Sequence, residues 1–184
     1  MPITPLSGIF AIMQRILVAY YSQTGHTRQI AEAITADCGA DIEQIEDVNS
    51  RAGMLGYLRS GWQAFTKRAA HIRPVQASPG QYDLIAIGTP VWMMNLSSPV
   101  RTYIAEQGTE FKKVAFFCTA GSAGGEGVFK QMADLCGKQP VATLIVTEGE
   151  IKSGSFGEKV RAFQRSIDQE LGEPHAGTHA PASP

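Results

Sequence analysis

The chain has 184 residues, 43% of them hydrophobic and 18% charged, and 16 basic against 17 acidic side chains leave a formal net charge of −1. That length and composition suit one soluble globular domain with its own core and exclude a disordered chain. A charge so close to zero supplies no basic field for nucleic acid or an anionic membrane, so neither is an expected partner.

Taken in chain order, residues 1–13 carry neither a basic leader nor a sufficient apolar run to act as a signal peptide. They are expected to be an extension in front of a domain spanning residues 14–172. Ile16 to Tyr21 is a β-rich run that predicts a buried strand. After it, Ile30, Ala33, Ile34 and Cys38 recur at helical spacing, and Gly39 can end that helix. Asp41 to Ile45 predicts a weaker strand. Leu55, Leu58, Trp62, Phe65 and Ala69 then form one apolar helical stripe, whose natural use is packing on a sheet.

The segment "YDLIAIG" predicts a second buried strand, after which Ser98, Pro99 and Val100 look like an N-cap, a first-turn proline and the start of a helix reaching about Gln107. "KKVAFFCT" is a third strand, followed by a helix with Val128, Met132, Leu135 and Cys136 on one side. "PVATLIVT" supplies the last strand. Phe156, Val160, Phe163, Ile167 and Leu171 make a closing amphipathic helix that Gly172 and Pro174 terminate. Residues 173–184 are too polar and proline-rich to pack, and a disordered tail is expected there.

Five strands separated by helical crossovers imply a parallel sheet with helices on both faces, an α/β architecture. No apolar stretch approaches the roughly 18 residues of a membrane span. The three cysteines, Cys38, Cys118 and Cys136, form no CxxC pair and leave an odd thiol, which suits a reducing cytoplasm.

Ligands of such sheets sit beyond the carboxyl ends of the strands, near a topological switch point. Three loops occupy those places. After the first strand comes Ser22-Gln23-Thr24-Gly25-His26-Thr27. It lacks the lysine of a P-loop and the three glycines of a dinucleotide fingerprint. Its hydroxyls and free backbone N–H groups could still wrap one phosphate at a helix N-terminus, where the dipole supplies roughly half a positive charge. After the second strong strand comes Thr89-Pro90-Val91-Trp92-Met93-Met94-Asn95, whose tryptophan and methionines would expose costly apolar area unless something flat covered them. After the third comes Thr119-Ala120-Gly121-Ser122-Ala123-Gly124-Gly125, small enough to let backbone approach a ligand closely.

No carboxylate cluster or Ser/His/Asp grouping points to hydrolytic chemistry, and no catalytic residue is assigned. His26, within the first loop, would sit beside the proposed phosphate without a chemical demand for histidine there, inert packing suits Cys118 better than thiol catalysis, and His175 and His179 sit in the tail without helical pattern. No metal site is expected.

Together, "YYSQTGHT", "IGTPVWMMNLSSPV" and "FFCTAGSAGG" resemble the flavodoxin-like family over roughly Ile16 to Leu171. The resemblance implies a three-layer, doubly wound fold whose five parallel strands run in the order 2-1-3-4-5. It also implies FMN as cofactor, its phosphate in the first loop and its isoalloxazine against Trp92, with the second and third loops lining the ring.

Two functions follow from the resemblance. One is an electron carrier docking to redox protein partners; such carriers are usually markedly acidic and place an aromatic in the third loop, whereas this chain is nearly neutral and "TAGSAGG" has none. The other, favoured on those two departures, is an FMN-dependent oxidoreductase that passes electrons from NAD(P)H or another donor to a quinone-like or other small acceptor. A homodimer is open to either.

Overall fold

The computed structural model describes residues 15–36, 39–48 and 70–172. The stripe from Leu55 to Ala69, Cys38, the extension and the tail with its two histidines lie outside the described residues.

Strand β1 (Ile16–Tyr20) sits inside the sheet, paired in parallel with β2 (Asp41–Gln44) on one side and β3 (Leu84–Trp92) on the other. Its side chains alternate between two cores: Leu17 and Ala19 enter one, Val18 and Tyr20 the other. Burial on both faces is why this run is continuously apolar. Strand β5 (Lys113–Ala120) repeats the device, sending Phe116 to one core and Phe117 to the other. Full burial of such a side chain contributes about 1.5–3 kcal/mol.

One face is covered by α1 (His26–Thr35) and α5 (Gly157–Leu171), which bury Ile30, Ala31, Ile34, Val160, Phe163 and Ile167. The other face carries α2 (Ser98–Gln107) and α3 (Gly125–Cys136), with Val100, Tyr103, Ile104, Val128, Phe129 and Met132 inward. Leu135, expected on the inner side of α3, is instead 37% exposed, while Phe129 and Ala133 take the inward positions. Gly172 ends α5 in the left-handed conformation at φ 80°, as its position suggested.

The sheet is completed by β6 (Thr143–Thr147) and reads β2-β1-β3-β5-β6, all parallel. These five strands alone have the order 2-1-3-4-5, the expected doubly wound arrangement. The order reverses between β1 and β3, so the switch point lies at their carboxyl ends.

Three local features depart from the sequence reading. Strand β3 does not stop at Gly88 but continues through Trp92, because the two-residue strand β4 (Asn95–Leu96) folds back and pairs with its end. The N-cap of α2 is Ser97, one residue earlier than expected, and Pro99 still falls in the first turn. A short helix α4 (Glu148–Ser153) follows β6, started by a capping box in which Thr147 Oγ1 accepts from Glu150 N–H while the Glu150 carboxylate accepts from Thr147 N–H. The T-x-x-E signature was present in the sequence.

Gly88 marks the tightest packing in the sheet. A Cβ there would lie 2.1 Å from the Phe117 ring, so only glycine lets β3 and β5 run side by side with that ring between them and α1 and α5.

Candidate functional site

Because β1, β3 and β5 are neighbours, their three following loops meet at one edge of the sheet. The first loop is anchored by its own chain: Ser22 Oγ accepts from Gly25 N–H at 3.2 Å, and Gly25, at φ 91°, turns the backbone into α1. That helix starts without a side-chain cap and without an acidic residue in its first turn. Its positive dipole end is left uncompensated, which suits an anion. Gln23, Thr24 and Gly25 are exposed, and Ser22 and His26 partly so.

Thr27 faces the other way. It is 1% exposed, and its hydroxyl lies 2.8 Å from that of Thr119, itself 5% exposed, at the end of β5. This buried pair joins the floor of the first loop to that of the third.

The second loop is a hairpin. Its base is closed by Thr89 and Ser97, both fully buried, whose hydroxyls are 2.9 Å apart. Pro90, Val91, Trp92 and Asn95 are partly buried, and the Trp92 ring meets Tyr21 edge-on at 5.8 Å. The turn itself is made by Met93 and Met94 at φ 47° and 65°. Two positive φ angles are the type I′ pattern, normally filled by Asn-Gly or Asp-Gly, and each costs a side-chain-bearing residue about 1–2 kcal/mol. Both methionines are nonetheless exposed, at 69% and 61%. The Asn95 side-chain amide donates to Met93 C=O at 2.9 Å.

The third loop holds the exposed Gly121, Ser122 and Ala123. Gly124 follows at φ 102°, and a Cβ on it would lie 2.8 Å from Met94 Sδ and 3.2 Å from Met94 Cα. The third loop therefore packs directly under the hairpin turn. Gly125 is needed for another reason: a Cβ would meet Ile145 Cδ1 at 2.6 Å and Cys118 Sγ at 3.0 Å, so its absence lets α3 lie close to the sheet. Ala120 and Cys118 are buried beneath, and burial pushes the Cys118 thiol up to about 12, so it stays protonated and unreactive.

The structure thus sorts the predicted residues into two tiers. Ser22, Gln23, Thr24, Gly25, Met93, Met94, Gly121 and Ser122 are exposed or partly exposed on the three loops, whereas Thr27, Thr89, Thr119, Ala120 and Gly125 are buried at their bases. An uncapped helix start, a partly buried tryptophan and a neighbouring loop of exposed small residues fit a ligand with an anionic tail and a flat ring. Two supporting residues escaped the sequence reading. Ser97 looked like the residue before a cap, and Gln131 on α3 is a helix-interior amide with no local signal of its use. Among the described residues no group of His, Cys, Asp and Glu gathers to hold a metal, and no helix is long and apolar enough to cross a membrane.

A family model described as flavodoxin matches residues 15–162. Among solved structures, a flavoprotein from Lactobacillus acidophilus NCFM in complex with FMN is 21% identical, with 77% of this chain and 99% of that chain covered and a TM-score of 0.64. A putative flavoprotein from Bacteroides eggerthii DSM 20697 is 21% identical over 87% of this chain and 99% of that one, with a TM-score of 0.65. Another from Bacteroides uniformis ATCC 8492 is 22% identical over 77% and 97%, with a TM-score of 0.63. These likenesses establish a shared fold.

Proposed function

The chain belongs to the flavodoxin family, and from that premise we propose that it is an FMN-dependent oxidoreductase that takes electrons from NAD(P)H or a comparable small donor and gives them to a quinone-like acceptor. When bound, FMN supplies chemistry that accepts electrons singly or in pairs. The residues of this chain supply its seat. Ser22, Gln23, Thr24, Gly25 and His26, with the N-terminus of α1, hold the phosphate through hydroxyls and backbone N–H groups. Trp92 offers an aromatic face, and the backbone of the Thr89–Asn95 and Thr119–Gly125 segments offers N–H and C=O partners for the ring's polar edge. The thioethers of Met93 and Met94 add polarisable apolar surface.

The observation that carries the enzyme reading over the carrier reading is the third loop. Gly121, Ser122 and Ala123 are exposed and small, and the loop carries no aromatic side chain. A small donor or acceptor then has room beside the flavin. The near-zero net charge agrees, since it gives little long-range steering toward a charged protein partner.

The test is anaerobic reduction of the FMN-loaded chain. NADH or NADPH alone should bleach the flavin absorbance, a quinone should restore it, and Ser122→Tyr should slow both steps by filling the open side. Failure of both nicotinamides to reduce it, with rapid reduction by a redox protein, would make it a carrier.

A further inference from the structure

We propose that Gln131 is a positioning residue for the flavin site: its carboxamide, reaching out from α3, holds the turn at Met94 and the returning strand at Leu96 and so fixes how the hairpin sits beside the third loop. The positioning role rests on the FMN reading, whereas the clamp stands on geometry alone.

The hairpin has little to hold it by itself. Strand β4 contributes only two residue pairs, Val91 with Leu96 and Trp92 with Asn95. So short a ladder is marginal without outside support. Its turn also sets two methionines in a backbone conformation that disfavours them. Such a loop stays in place only when its surroundings over-determine it.

Gln131 provides that hold from a separate element. Its Oε1 accepts from Leu96 N–H at 3.3 Å and from Arg101 Nη2 at 3.0 Å, and its Nε2 donates to Met94 C=O at 3.3 Å. The orientation is chemically determined. Two donors, one of them a guanidinium, converge on one end of the amide, so the oxygen must be there, and the NH2 is left for the carbonyl on the turn. Arg101, on α2, thus keys the amide, and the amide ties α2 and α3 to the turn at Met94 and to β4 at Leu96. Only a side chain with a donor and an acceptor on one head can do this. A glutamate could serve Leu96 and Arg101 but would set a carboxylate against the Met94 carbonyl.

Two variants of the full chain separate these contributions. Gln131→Met keeps length and volume while removing every hydrogen bond, and Gln131→Glu removes only the donor to Met94. Hydrogen–deuterium exchange on the FMN-free protein reads the clamp, and FMN titration reads the site. In Gln131→Met, amides of residues 91–96 should exchange about tenfold faster and the FMN Kd should rise about tenfold, the scale of one or two lost net hydrogen bonds. Gln131→Glu, which keeps the acceptor for Leu96 and Arg101 but repels the Met94 carbonyl, should also exchange faster at residues 91–96 and bind FMN more weakly than the wild type. In both, β5 should keep its protection, and the preference for FMN over riboflavin should persist, because the first loop is untouched. Unchanged exchange in the hairpin would overturn the clamp. Faster exchange with unchanged FMN affinity would overturn the positioning role, as would loss of protection through β5 in both variants, which marks a general structural part. A wild-type chain that takes no FMN would instead remove the flavin reading, with the exchange data still judging the clamp.

Discussion

The hydroxyls of Thr27 and Thr119 lie 2.8 Å apart in the buried floor of the site, although 92 positions separate them in the chain. One donates and the other accepts, and neither is exposed enough to turn to water instead. Replacing either threonine alone by valine leaves a buried orphan hydroxyl and should cost about 1–3 kcal/mol of folding stability. Replacing both removes the orphan, so the double variant should lose clearly less than the two singles added together. Urea unfolding of the four proteins gives the cycle. Strict additivity would mean that the pair does not join the first and third loops.

Gly124 and Gly121 stand three residues apart in the third loop and should respond oppositely to alanine. At Gly124 the new Cβ meets Met94 Sδ and Cα and the backbone is left-handed, so a loss of about 1–3 kcal/mol is expected, with weaker FMN binding as the hairpin is pushed outward. At Gly121 nothing lies within 4 Å and no left-handed φ is required, so stability should stay within about 0.5 kcal/mol. Melting temperatures of the two variants decide this, and equal losses would contradict the close packing of the third loop under the turn.

The capping box after β6 predicts a pH dependence. The Glu150 carboxylate is paired with Lys159 at 2.6 Å and accepts from the N–H and hydroxyl of Thr147, which holds its pKa down at about 2 against an ordinary 4.5. A depressed carboxylate stabilises the fold above its unfolded pKa, and that contribution is lost as the pH falls from about 4.5 toward about 2. The wild type should therefore be more stable than Glu150→Gln at pH 6, and the gap should narrow between pH 4.5 and pH 2. Thr147→Ala should cost about 1 kcal/mol at neutral pH through the lost cap. A stability gap for Glu150→Gln that does not vary with pH would contradict the assigned pairing.

The sheet was legible because doubly buried strands such as Ile16–Tyr20 and Lys113–Ala120 leave uninterrupted apolar runs, and because Gly, Ser and Pro punctuate their ends. The three loops were legible by their place after those strands. What was hidden depends on partners distant in sequence. Trp92 lies in a strand only because Asn95 folds back on it, a pairing that a two-residue β4 barely marks. Thr27 looks like any loop hydroxyl until Thr119 is found beside it, and Gln131 looks like any helix amide until the hairpin is seen above it. The left-handed Met93–Met94 turn runs against local propensity, so no turn rule would have placed it there.

An anionic tail seated at the start of α1 is what distinguishes FMN from riboflavin here, and titration of the purified chain with both flavins tests it. The two ligands share the ring and differ in the phosphate. The uncapped helix N-terminus and the Ser22–Thr24 hydroxyls predict one FMN per chain, bound at least about tenfold more tightly than riboflavin, which is the worth of roughly 1.4 kcal/mol from charge-assisted hydrogen bonds. Thr24→Val should narrow that preference without altering how riboflavin binds. Equal affinities for the two flavins, or binding of neither, would contradict the assignment of this loop and with it the proposed function.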